Sequence, residues 1–422
     1  MMLQKDLPSA RRHDLDWLRI IAFGLLIFYH IGMFYVSWGW HVKSVHAGPT
    51  AEAFMRLLNP WRLFLLFLIS GVALRFAFDK AASNRGGHAR FAVKRTVRLL
   101  IPIMFGIHII VAPQSWLQLL ESGEITKGFW AFYPEYFIGT SEKYSVTIPT
   151  WNHLWYVVYL MIYTVILAPF AKPLAKFMQG AGASVTQKIF CSRFGLVWLI
   201  GLPVLPHLIY RMFLDQNFPT THDVVSDWAN HAHSFTFLIT GFILAKDTAF
   251  WAAISRWRKV LWGLAIVLGT ALTLIWNNWD AVVEAETFLW PARFARVFFI
   301  WIVIASLLGL AQHYLNRPSR ALRYMTEAIF PWYILHQTLT IMAGYWLTRQ
   351  GLSVGVEFAG VCLATFGGCL LSHELCIRRF NLVRPLFGLK FRKKRAATGK
   401  TDAATEKTVK VSSNETRRRL GA

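Results

Sequence analysis

Three ionisable residues recur along one apolar stretch near the start of the chain: Asp16 and Arg19 in Asp16-Trp17-Leu18-Arg19, and His30 in Phe28-Tyr29-His30. Charged or titratable side chains are costly in an apolar run and point to a site or a pathway. Arg19 and His30 stand eleven residues apart. At about 100° and about 1.5 Å per residue, a helix brings them back to nearly one face, roughly 16 Å apart along its axis. A neutral imidazole titrates close to ordinary pH and can take the proton of a hydroxyl during its attack on a carbonyl. Asp16 lies one turn before Arg19, at a spacing that permits pairing, so this pair reads as structural or substrate-orienting. Taken singly, Arg19 could snorkel and His30 could be a hydrogen-bonded structural residue. Their shared face sets the two apart.

Other candidates follow along the chain. Arg95 and Arg98, in Phe91-Ala92-Val93-Lys94-Arg95-Thr96-Val97-Arg98 before Pro102, are three apart and share a helix face. Guanidinium forks suit phosphate oxygens, although cations at a span's inner mouth also arise from topology alone. Arg75 and Lys94 are neighbouring alternatives. His336 falls inside an apolar run and reads as a cross-helix hydrogen-bonding group or a participant in chemistry. His153 and Trp155 open another run, where Trp is also ordinary interfacial belt. Arg62, Arg293 and Arg296 lie just inside predicted helix ends and could hold an anionic group or steady an acceptor. His231 and His233 read as surface residues, and His373 and Glu374 as capping or packing groups. Of the cysteines, Cys191 stands alone, while Cys362, Cys369 and Cys376 recur every seven residues on one face. Packing accounts for them, and no metal-ligand spacing appears.

The elements that must position these residues are transmembrane helices. Apolar residues make up 55% of the chain and charged residues only 16%, a composition unlike that of a soluble protein. Windows long enough to cross about 30 Å of hydrocarbon begin near Trp17, Trp61, Val97, Trp151, Phe194, Ala229, Leu261, Phe288, Ala328 and Val354. They predict an all-α polytopic membrane protein of about ten transmembrane helices. With both termini cytoplasmic, 36 of the 45 Lys and Arg fall on the inner side and nine on the outer, whereas acidic residues divide ten to twelve. Only positive charge sets topology, so this split gives the orientation.

A formal charge of +23 invites a nucleic-acid reading. Much of the excess lies after the last span, in Lys390-Phe391-Arg392-Lys393-Lys394-Arg395 and Arg417-Arg418-Arg419. There it suits anionic lipid headgroups, and no nucleic-acid partner is expected. The expected division is a transmembrane domain over residues 1–388 and a basic, disordered cytoplasmic tail over 389–422. The segment from Gln114 to Thr150 is the longest outer one, and its aromatic content predicts order, with a short interfacial helix.

The Arg-x10-His spacing at Arg19 and His30 resembles the signature of the membrane acyltransferase-3 family. Further segments resemble its branch that succinylates periplasmic glucans: His30-Ile31-Gly32 with Trp40-His41-Val42-Lys43-Ser44; Leu68-Ile69-Ser70-Gly71; and Asn152-His153-Leu154-Trp155-Tyr156. Two more stand near the end, running from Ala328 to Gln337 and from Arg384 to Lys390. In order, they cover nearly everything but the tail. The resemblance implies a multi-pass protein of the bacterial inner membrane that moves an acyl group from a cytoplasmic acyl-CoA to a hydroxyl of a periplasmic glucan or other envelope carbohydrate. It implies His30 as base and Arg19 as the family arginine, which Asp16 would pair with in a structural or donor-orienting role, and Arg95 and Arg98 on the donor. His336 matches a recurrent histidine of that family, and acceptor or acyl contacts are expected at Arg62, His153, Trp155, Arg293, Arg296 and His336. Succinyl-CoA is the favoured donor substrate and acetyl-CoA the other, with no permanently bound cofactor and no metal. The lipid bilayer and other glucan-biosynthesis proteins are the expected partners. A transporter or flippase of an envelope precursor is the alternative, but the sequence lacks paired Gly- or Pro-broken helices in corresponding halves.

Overall fold

A computed structural model describes residues 11–83, 87–139 and 141–392. The tail beyond Arg392 lies outside the described residues. By its contacts the chain divides after Leu389.

Among the described residues every regular element is helical. In chain order they are α1 (His13–Gly32), α2 (Glu52–Ala82), α3 (Gly87–Phe105), α4 (Ala112–Glu121), α5 (Phe129–Ile138), α6 (Trp155–Leu167), α7 (Ala171–Gln179) and α8 (Ala181–Phe190). They continue as α9 (Gly195–Phe213), α10 (Trp228–Leu244), α11 (Thr248–Asn277), α12 (Trp279–Glu284), α13 (Leu289–Tyr314), α14 (Arg320–Leu347) and α15 (Val354–Ser372). A helix stands in each of the ten apolar windows. Seven are long and apolar enough to cross a membrane, or eight if the α6–α7 pair, bent by 72°, is one span. The two that fall short have different reasons. Helix α10 is only 17 residues long, and α14 carries buried His336, Gln337, Thr338 and Thr340.

Loop-to-loop contacts sort the connections between two ends of the bundle. At one end the His13 amide donates to Asn316 (3.1 Å), Lys246 pairs with Asp79 (2.6 Å) and the Thr186 hydroxyl donates to Asp247. At the other, His46 meets the Leu352 carbonyl (2.9 Å), Arg349 pairs with Glu121, and the Trp151 indole donates to the His222 carbonyl (2.9 Å). Each contact joins connections at a single end of the bundle. The two ends are called here the Arg19 end and the His30 end.

Helix packing depends on absent side chains and on carbonyls released by proline. Helices α2 and α10 cross at Gly71 and Gly241, where an added Cβ would overlap the Leu238 and Leu68 carbonyls respectively. Such close backbone approach is how membrane helices gain dispersion contacts when water supplies no driving force. Pro203 in α9 has no N–H for the Leu199 carbonyl, and the Trp301 indole of α13 donates to it at 2.8 Å instead.

A π-turn at Gly106–Ile110 joins α3 to α4 into one run of 35 residues, so the first part of the expected outer segment continues this helix. There the Val111 amide reaches back to Gly106, which frees the Ile107 carbonyl to accept from the Tyr136 hydroxyl at 2.7 Å. That bond seats α5, the short helix expected in the segment. Hydrogen bonds from Lys127, Tyr144 and Lys143 hold the Glu135 carboxyl down to about 2, pinning the rest of the segment over α5. The segment after α6 also folds, as α7 and α8. All four cysteines are free; Cys369 is buried and Cys191 exposed.

Candidate functional site

His30 occupies the last turn of α1, opposite His336 in the middle of α14. The rings stack with centroids 5.0 Å apart and 10° between planes, and His30 Nδ1 lies 2.8 Å from His336 Nε2. His336 Nδ1 faces the Tyr333 carbonyl at 2.7 Å. A carbonyl only accepts, so Nδ1 of His336 carries the proton and the Nε2 of a neutral ring is an acceptor. His30 must then donate from Nδ1. Its Nε2 is left with a free lone pair, the arrangement a general base needs. His336 is fully buried, whereas His30 is only partly covered, so of this pair His30 is the one open to a substrate.

A third ring completes the cluster. His153 Nε2 donates to the Ile334 carbonyl at 3.1 Å, its ring lies edge-on to His336 (5.1 Å), and its Nδ1 is buried with no partner. The Tyr333 hydroxyl donates to the His153 carbonyl, tying α6 to α14. Neither His153 nor Trp155 faces outward from the bundle as an interfacial belt residue would. They are 6% and 8% exposed, and Trp155 stacks on His222 (4.3 Å). A short 3-10 turn, Asn152–Leu154, rolls both side chains into the bundle before α6 begins.

Beside the histidines stands an amide network that motif reading did not pick out. His41 Nδ1 donates to Gln118 Oε1, and its Nε2 accepts from Asn152 and Gln337, each at 3.2 Å. Gln114 Oε1 accepts from Asn152 (3.0 Å) and Gln337 (3.1 Å). Gln114 Nε2 in turn donates to Thr338, whose hydroxyl donates to the Ile110 carbonyl released at the π-turn. Burial lowers the His41 pKa to about 4, so the ring stays neutral and its bonds hold the 33–48 loop in place. Trp40 of that loop comes within 5.3 Å of the His30 ring. The signal was present, because Asn152 and Gln337 adjoin His153 and His336 in the quoted segments.

At the Arg19 end, Asp16 accepts from Arg19 (3.2 Å) and from Arg11 (2.8 Å). A cavity of about 450 Å³ opens there, lined by Arg11, Arg12, Asp16, Arg19, Phe76 and Thr326 among others. Arg95 is half-buried, its Nε buried and unpartnered, and both it and Arg19 lie within electrostatic reach of the Tyr156 hydroxyl. Arg98 differs. It donates through Nε (3.2 Å) and Nη2 (2.8 Å) to the Gly388 carbonyl, a tie between α3 and the segment after α15. Between the two ends run aromatic rings. Tyr156 meets Phe23 (6.0 Å) and Tyr333 (6.2 Å), and Tyr333 meets His336 (5.9 Å).

The remaining candidates divide. Helix α2 starts at Glu52, well before the expected Trp61, so Arg62 sits inside the helix and is 3% exposed. Its guanidinium lies 3.5 Å from the centre of the Tyr29 ring, and Nε and Nη1 have no partner. Arg296 also lies within electrostatic reach of Tyr29, whereas Arg293 lies over Trp290 (5.0 Å). His231 and His233 are not free surface residues. His231 bonds Tyr163 (2.8 Å) and the Val224 carbonyl (2.9 Å), and His233 is held between His207 and Asp215. His373 is fully buried against Tyr324 (5.8 Å), a packing role, and Glu374 pairs with Arg378 (3.1 Å). Arg75 pairs with Asp79 (3.1 Å) and is 1% exposed.

A family model described as an acyltransferase domain matches residues 12–374. Among curated relatives, Glucans biosynthesis protein C of Escherichia coli O157:H7 is 23% identical over 381 residues, covering 88% of this chain and 93% of that protein. The proteins of that name from Shigella boydii serotype 4 and Escherichia coli strain K12 are 22% identical over the same share. No solved structure matches. With the family model covering most of the chain and the apolar helices running between two ends, the chain belongs to the acyltransferase-3 family and is a multi-pass membrane enzyme that transfers acyl groups.

Proposed function

We propose that this protein moves an acyl group from a cytoplasmic acyl-CoA to a hydroxyl of a periplasmic glucan or related envelope carbohydrate, with His30 as general base. The observation that carries this reading is the hydrogen-bond chain from the Tyr333 carbonyl through His336 to His30, which leaves Nε2 of His30 with a free lone pair. The acceptor hydroxyl gives its proton to Nε2 as its oxygen attacks the thioester carbonyl. The ester C–O bond forms, the C–S bond breaks, and the proton leaves with the CoA thiolate. The carbohydrate class follows the name of the relatives, and succinyl is the favoured acyl group, with acetyl the other. All ten helices are read as spans with both termini in the cytoplasm, which puts the Arg19 end inside and the His30 end outside, in the inner membrane. Supporting this, the ten windows are all helical and each loop contact joins connections at a single end. Purified protein given labelled acyl-CoA and glucan should yield labelled glucan. Transport of the glucan without any label transfer would instead favour a flippase.

Two further outcomes are expected. A reporter fused after Lys390 should be active only in the cytoplasm, and one inserted near Glu124 only outside; the reverse result would invert every sidedness assignment. Arg95 and Arg98 should separate. Arg95→Gln removes a guanidinium whose buried Nε has no partner and should raise the donor KM about tenfold or more, since charge-assisted hydrogen bonds contribute about 1.5–3 kcal/mol. Arg98→Gln should lower thermal stability and leave the donor KM nearly unchanged, because its bonds go to the Gly388 carbonyl. Equal KM effects from the two would reject this division.

A further inference from the structure

A second polar site lies apart from the histidine cluster, between α2, α9, α10 and α13. It is a cavity of about 180 Å³, lined among others by Phe64, Arg211, Asp215, Asn230, His233 and Arg296. Asp215 is the only acid among its lining residues, and both of its oxygens are engaged. Oδ2 accepts from Arg211 Nη1 at 2.8 Å, and Oδ1 accepts from His233 Nε2 at 3.1 Å. His233 is fixed from its other side, with Nδ1 2.8 Å from His207 Nδ1 and the two rings stacked at 6°.

This leaves cationic groups without a partner. Arg296 is half-buried and makes no hydrogen bond or ion pair among the described residues, and Nε of Arg211 is buried and unpartnered. Arg62, 3% exposed and also lacking partners for Nε and Nη1, shares with Arg296 the field at the Tyr29 hydroxyl. With His233 uncharged, Arg211, Arg296 and Asp215 leave the cavity with one net positive charge. A guanidinium held away from bulk water without a counter-ion is unfavourable, and an arriving anion removes that penalty. Pro60, Phe64, Phe218 and Pro219 supply apolar walls, so the cavity suits a small anionic head on a short carbon neck.

We infer that this cavity is an anion subsite in which Arg296 and Arg211 bind a carboxylate or phosphate group. Two sources have this chemistry: the free carboxylate of a dicarboxylic acyl group in transfer, or an acidic substituent on the acceptor. The link to transfer rests on the function proposed above, whereas anion binding does not.

Succinate and glycerol 1-phosphate, titrated into the purified full-length protein at constant ionic strength, provide the test. At least one should bind saturably to the wild type. Arg296→Gln should weaken that binding tenfold or more, and Arg296→Lys should recover part of it. Arg349→Gln, which removes a cation at the same end but outside the cavity, should bind like the wild type. Equal binding by Arg296→Gln and the wild type, or no saturable binding at all, overturns the subsite. In transfer assays, a loss in Arg296→Gln confined to succinyl-CoA, with acetyl-CoA still used, assigns the anion to the acyl group. A loss confined to acidic acceptors assigns it to the glycan. Arg296-dependent anion binding in a wild-type protein that transfers no acyl group would preserve the subsite and reject the acyltransferase mechanism.

Discussion

His30→Ala is expected to insert and fold like the wild type, yet to transfer acyl groups at about 1% of the wild-type rate or less, the scale on which a general base contributes. His30 is only partly covered, so its loss opens no deep cavity. Its role rests on Nε2, the one atom of the two stacked rings left with a free lone pair by the chain from Tyr333 through His336. Single-turnover label transfer by the purified variant measures this, and a rate near that of the wild type would return His30 to a structural role. His336 acts through His30. His336→Ala should lower the rate less and displace the pH–rate profile, because nothing then fixes His30 with Nδ1 protonated. His336→Gln should rescue part of that loss, since its side-chain oxygen can accept from Nδ1. Equal losses in the Ala and Gln variants would mean that packing matters and acceptor chemistry does not.

The second large effect is on folding. Gly241→Val should give little monodisperse protein on size-exclusion chromatography, because the new side chain would overlap the Leu68 carbonyl across the α2–α10 crossing. Overpacking within a core typically costs about 1–3 kcal/mol, and here a rigid backbone carbonyl stands in the way, so the upper end or beyond is expected. Gly71→Val should behave alike, since its Cβ would meet the Leu238 carbonyl. Gly24→Ala is the control. No atom lies within 4 Å of its added Cβ, and its yield and melting temperature should match those of the wild type. A well-folded Gly241→Val protein would show that the two helices can separate without losing the bundle.

These residues also show where sequence reasoning stops. The His30 rotamer and tautomer could not be read from spacing. A period of about 3.6 residues fixes which face a side chain shares with its own helix, and says nothing of the helix opposite. His336 stands 306 residues away in sequence, and only packing of α1 on α14 brings the two within 2.8 Å. The same reasoning left His233 as a surface residue, because its partners His207 and Asp215 come from α9 and the turn after it. Arg62 was placed near a helix end because hydropathy rises only at Trp61, while α2 begins at Glu52 with polar residues that continue the helix beyond the apolar window.

What sequence alone determined was set by solvent and by local periodicity. Long apolar windows must satisfy their backbone groups internally, so each becomes a helix. The Asp16–Arg19 pair, one turn apart, forms at 3.2 Å as its spacing allowed. Tertiary structure decided what crosses between elements. It withdrew Arg98 to the Gly388 carbonyl while leaving Arg95 unpartnered. It turned His153 inward through the 3-10 turn, and it used the carbonyl freed at the π-turn to anchor Thr338 and the amide network. The physical reason is that a buried polar group must find a partner, and which partner it finds depends on neighbouring helices that no local pattern encodes.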